Sequence, residues 1–95
     1  MISSQKDYAE EAFEGLELKG AVIDGAQFEN CTFQKCNFGG TAFKHGRFLD
    51  CTFTHCDLSN LLIQGSSLRG ATFKDCKMVG VNWLTSKHVV VQPKG

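Results

Sequence analysis

Thiols and imidazoles are the side chains in this sequence best suited to binding a metal or attacking a substrate. Cys31, Cys36, Cys51, Cys56 and Cys76, with His45 and His55, all lie between residues 31 and 76. Close pairs of such groups would build a tetrahedral zinc site, and a thiol beside a histidine would give an activated nucleophile. Here the cysteines are separated by five residues or multiples of five, which is not a zinc spacing. A nearby Ser/His/Asp set, a phosphate-cradling loop and a paired-glycine dinucleotide motif are all missing from the sequence. The expectation is a chain with no catalytic residues, no metal site and no cofactor.

The same spacing of five runs from about residue 11 to residue 85. Phe13, Leu18, Ile23, Phe28, Phe33, Phe38, Phe43, Phe48, Phe53, Leu58, Ile63, Leu68, Phe73, Met78 and Trp83 are all apolar and include every phenylalanine. Two places before each is a mostly small residue, and all five cysteines occupy that slot. A period of five fits neither the 3.6 of a helix nor the 2 of a strand. It fits a chain that turns a corner every five residues and points the same two positions inward each time. Four corners close a square, so one coil takes twenty residues. The near-copies Cys31–Phe38 and Cys51–Leu58 lie that far apart. Close packing in so narrow a section lets one inward residue be large and makes the other small. The cysteines are therefore expected as buried free thiols, stacked as Cys31–Cys51 and Cys36–Cys56–Cys76. Glycines such as Gly15, Gly40 and Gly70 fall two places after the large slot, where a corner needs a permissive backbone.

Cys36-Asn-Phe38 and Cys56-Asp-Leu58, with looser forms such as Ala26-Gln-Phe28 and Ala71-Thr-Phe73, resemble the motif of the pentapeptide-repeat family. The resemblance covers residues 11–85 and departs from the family in having few Asp or Asn at the middle position. It implies an all-β fold, a right-handed quadrilateral parallel β-helix (a solenoid) of about four coils. Residues 1–10 read either as a helical or irregular cap or as an early repeat with Tyr8 in the large slot. Residues 86–95 form a tail in which Val89-Val-Val91 has strand propensity and Pro93 is expected to end it. An open last coil needs a cover. Trp83, Leu84, Val89, Val90 and Val91 are therefore a candidate interface, pointing to a homodimer.

Length and charge narrow the function classes. Ninety-five residues make one domain, and the formal net charge is zero. That balance argues against direct nucleic-acid binding, which needs a basic stripe. It conceals a polarity: residues 1–30 carry two lysines against seven carboxylates, a net of −5, and the remainder carries eight basic residues against three acidic, a net of +5. The amino terminus has no apolar signal core and no run reaches transmembrane length, so a cytoplasmic protein without a membrane partner is expected. Val22, Ala42 and Leu62 line up as an outward apolar stripe, with Leu49 on the next face, a second candidate contact. The reading is a non-enzymatic protein-interaction or structural module that self-associates through its C-terminal coil. The resemblance also implies an alternative, a DNA-mimicking protein that binds the type II topoisomerases DNA gyrase and topoisomerase IV and protects them against quinolones.

Overall fold

The computed structural model describes residues 2–81 and the backbone of residues 88–94. Among the described residues ten strands follow one another: β1 (Asp7–Ala9), β2 (Ala12–Glu14), β3 (Val22–Asp24), β4 (Gln27–Glu29), β5 (Thr32–Gln34), β6 (Ala42–Lys44), β7 (Arg47–Leu49), β8 (Thr52–Thr54), β9 (Ser67–Lys74) and β10 (His88–Lys94). All pairings are parallel. Each triplet pairs with the one twenty residues on, as in Phe13↔Phe33 and Phe33↔Phe53. The chain is a four-faced parallel β-helix. The first face stacks Tyr8, Phe28, Phe48 and Leu68, and the second stacks Phe13, Phe33, Phe53 and Phe73. The third is held by single bridges along Glu17, Asn37, Asp57 and Lys77. The fourth joins β3 to β6 and continues through an Ala42↔Leu62 bridge. β9 runs round one corner and so belongs to the first two faces at once.

From Tyr8 through Phe28 and Phe48 to Leu68 the chain completes three circuits, with part of a fourth beyond. The sequence count of about four included Trp83, which lies outside the described residues.

The corners are made by backbone in the left-handed region. Gly70 has a φ of 72°, and between glycines the same position is filled by Asn30, His45, Asp50, Lys35 and others with φ of 52° to 58°. Only glycine takes that conformation without steric cost, though Asn, Asp and His tolerate it better than most. Between corners, the large slot of each triplet points inward. Phe28, Phe33, Phe38 and Phe48 are almost wholly buried. Rings stack between coils, with Phe33 and Phe53 at 4.7 Å and 9° and Phe28 and Phe48 at 4.8 Å and 12°. Within a coil they meet edge to face, as Phe43 meets Phe48 at 5.0 Å and 90°. Both arrangements suit the aromatic quadrupole.

At the N-terminus, the repeat alternative is the one seen for residues 7–9. Tyr8 pairs with Phe28, is buried, and accepts a hydrogen bond at its hydroxyl from the Ser3 N–H at 2.8 Å. Lys6, an awkward occupant for a small inward slot, stays exposed with its ammonium 5.5 Å from the Tyr8 ring centroid. Ile2 is buried in the same core.

At the other end, Pro93 does not stop β10, which runs to Lys94 in register with β9 apart from an irregularity between Val89 and Val91. Pro93 pairs with Phe73, and the position equivalent to Phe73 directs its N–H away from the preceding coil. The donor missing from proline therefore falls on the outer edge, where no ladder bond is lost.

Substitutions in the column and at the corners have expected effects on unfolding measured by urea midpoint. Phe33→Ala, which removes a ring stacked on both sides, should cost about 3–5 kcal/mol, and Phe13→Ala at the end of the column distinctly less. Lys35→Gly should stabilise by about 0.5 kcal/mol, because relief of left-handed strain outweighs the extra chain entropy. Gly70→Ala should cost about 1–2 kcal/mol, since its new Cβ would also meet the Asp50 carboxylate of the coil below.

Candidate interaction surface

The inward positions explain the cysteines. Cys31, Cys36, Cys51 and Cys56 are buried, Cys76 is half-buried, and all five are free thiols. Each sulfur lies within hydrogen-bonding distance of two carbonyls, those of the residues twenty-three and two places earlier: Cys31 reaches Tyr8 and Glu29 at 3.5 Å each, Cys36 reaches Phe13 at 3.8 Å and Gln34 at 3.4 Å, and Cys56 reaches Phe33 at 3.3 Å and Thr54 at 3.4 Å. Thr41 and Ser66 occupy the same slot and make the first of these bonds, to Leu18 at 2.6 Å and Phe43 at 2.7 Å. The slot thus accommodates a small donor as readily as a small apolar side chain. Sequence reasoning recognised the size and missed the bond, although the recurrence of Cys, Thr and Ser carried the signal. Burial pushes the Cys51 thiol up to about 12 and raises that of Cys36. Cys56 is raised by the neighbouring Cys76 thiol and by burial, and the same neighbour lowers Cys76.

The histidines do not converge on the thiols. His45 Nδ1 lies 3.3 Å from Asp24 Oδ1 and His55 Nε2 lies 3.5 Å from Asp75 Oδ2, two exposed pairs at different corners. Among the described residues no group of three His, Cys, Asp or Glu side chains is placed to hold a metal ion.

The outward positions carry the surface chemistry. Val22 pairs with Ala42, and Ala42 bridges to Leu62, so the three form one continuous column. Val22 is 62% exposed and Leu62 58%, while Ala42 is only 7% exposed because its larger neighbours flank its methyl group. Leu49 is half-buried on the first face and is not part of that column. With Asp7, Gln27, Glu29 and Arg47 it lines a shallow depression of about 210 Å³. Val79, 67% exposed, was not singled out from the sequence, although its outward position was readable there. Beside the third face, Gly20, Gly39 and Gly40 leave an open depression between Lys19 and Lys77. Asn37 and Asp57 there accept bonds from the N–H groups of Gly39 and Ser59. The Ser59 bond lowers the Asp57 carboxyl below its usual range.

Charge divides along the axis as the sequence suggested. Glu10, Glu11, Glu14, Glu17 and Glu29 are exposed on the early coils, and Lys44, Arg47, Arg69, Lys74 and Lys77 are exposed on the later ones. Of the candidate C-terminal interface, Trp83 and Leu84 lie outside the described residues. Val89, Val90 and Val91 fall within β10, of which the backbone alone is described.

No curated protein matches the chain. Similar solved structures include a trypsin-treated form of QnrB1, described as a plasmid-mediated fluoroquinolone resistance protein. It is 18% identical with a TM-score of 0.48, over 90% of this chain and 54% of that one. Another trypsin-treated QnrB1 gives 21% identity and a TM-score of 0.30 over 82% and 53%, and full-length QnrB1 gives 18% and 0.34 over 81% and 48%. The chain therefore spans about half the length of these relatives. The family model for the pentapeptide repeat region matches residues 26–92. With fifteen apolar slots in one unbroken register and a four-faced parallel β-helix built on them, the chain belongs to the pentapeptide-repeat family.

Proposed function

We propose that this chain is a non-catalytic, cytoplasmic protein-interaction module that self-associates through its last strand. The observation that carries the reading is β10, which among the described residues pairs with β9 and with no second strand. An unpaired strand edge is a template for another strand, and a two-fold axis between two such edges closes the contact into a dimer. Val89, Val90 and Val91 lie on that strand, and Trp83 and Leu84 would supply further apolar area. The inward thiols are committed to backbone carbonyls, which suits packing rather than chemistry. Light scattering at micromolar concentration should give twice the 10.5 kDa chain mass, and Val90→Asp should give the monomer. A wild-type monomer under those conditions would end the reading.

A second reading is favoured by the exposed carboxylates of Glu10, Glu11, Glu14, Glu17 and Glu29. DNA presents one charge about every 1.7 Å along its axis, and a band of exposed carboxylates offers a protein partner a field of the same sign. The family resemblance implies DNA gyrase or topoisomerase IV as that partner. In a gyrase supercoiling assay containing a fluoroquinolone, added protein should protect the enzyme. If saturating protein neither protects nor inhibits the enzyme, this reading is ruled out.

A further inference from the structure

We propose that the free edge of β2 is a docking site for an extended apolar-basic segment of a partner protein, which adds one more parallel strand to the second face. The proposal rests on the interaction-module reading but does not depend on the C-terminal contact.

β2 is an outermost strand of its sheet. On its inner side the Thr32 N–H donates to the Glu11 carbonyl and the Gly15 N–H to the Gln34 carbonyl. Successive residues of a strand direct their backbone groups to opposite sides. The N–H and C=O of Ala12 and Glu14 therefore point the other way, where no described strand lies. Residues 2–10 close over the neighbouring faces instead, with Gln5 donating to the Asp24 carbonyl and Tyr8 stacked on Phe28. That leaves Phe13 half-exposed, although Phe33 and Phe53 below it are buried.

The edge is also charged with one sign. Glu10, Glu11, Glu14 and Glu17 are exposed around it, and no basic residue lies between Lys6 and Lys19. Carboxylates on a free edge repel a second edge of the same kind, so the site disfavours another copy of β2 and favours a basic segment. Register defines what fits. In a parallel ladder a visiting triplet stacks residue for residue on Ala12, Phe13 and Glu14. Its middle side chain points inward onto the Phe13 ring and must be aromatic or branched. The next lies over Glu14 and must be lysine or arginine. The chain itself shows such a triplet in this column, where Thr72-Phe73-Lys74 lies on Thr52-Phe53-Thr54 with the two rings 5.0 Å apart.

The test is fluorescence anisotropy with the full chain and a labelled, capped peptide of sequence Arg-Gly-Ala-Thr-Phe-Lys. Saturable binding is expected, weakened by added salt and lost when serine replaces the phenylalanine of the peptide. Ala12→Pro removes an N–H from the free side and none from the β2–β5 ladder. It should weaken binding by about tenfold or more while leaving the unfolding midpoint near wild type. Glu14→Lys should do the same through charge alone. Absence of saturable binding at millimolar peptide, or equal affinity for wild type and both variants, would overturn the proposal. So would self-association in sedimentation that Ala12→Pro abolishes, since the occupant would then be a second copy. A dimer dissociated by Val90→Asp would stand whatever the peptide does, so failure here is separable from failure of the C-terminal contact.

Discussion

A left-handed corner at every fifth residue is the constraint on which the rest of the structure depends. All positions at intervals of five from Gln5 to Gly80 have positive φ; seven are glycine and nine are not. Each corner interrupts an extended triplet and sends the next one along an adjacent face. Because the corner recurs at a fixed interval, the same position always points inward and the same backbone groups always meet the coil above or below. The nine side-chain-bearing corners cost about 1–2 kcal/mol each, against about 1.5–3 kcal/mol for fully burying one large apolar side chain. The two are of similar size, so a corner is sustained only by a well-filled core beside it. Six of the nine are Asn, Asp or His, the residues that bear the conformation best. Gln5, Glu10 and Lys35 are the unassisted ones.

The interior answers that demand with two kinds of contact. Large slots supply rings that stack along the axis and meet edge to face around it, so a phenylalanine such as Phe33 touches neighbours in its own coil and in both adjacent ones. Small slots supply volume control together with a hydrogen bond from thiol or hydroxyl to a carbonyl of the preceding coil. A buried carbonyl gains a second partner in this way, in a section too narrow for water. Alanine at Ala26 or Ala71 fills the same space without the bond, which shows that packing alone is sufficient at individual positions.

Much of this was legible in the sequence because the repeat leaves little freedom. The period of five, the large and small slots and the stacked columns are properties of spacing, and spacing survives without coordinates. Corner conformation was legible only where glycine announced it. Lys35 and Glu10 adopt it because their neighbours on both sides leave no alternative, a tertiary effect invisible in local propensity. The ends were least legible, because there the repeat no longer determines the answer. Lys6 argued against an early coil, yet its side chain escapes to the Tyr8 ring and leaves the register intact. Pro93 argued for a stop, yet proline is tolerated where its missing N–H faces outward. Among the candidate surfaces, the Val22–Ala42–Leu62 alignment followed from register. The open side of β2 did not, because it depends on where residues 2–10 travel.

The fixed pairing of each residue with the one twenty places away also quantises how such a chain can lengthen. One residue gained or lost within a coil would rotate every later side chain out of its column and expose the rings. Five residues would keep the core filled but carry each later outward feature round to the adjacent face. Twenty would add a storey and leave the façades aligned, so that Val22 and Leu62 still looked in one direction. A fold of this kind can therefore change its reach and its surface pattern in separate steps, with the left-handed corner as the unit of both.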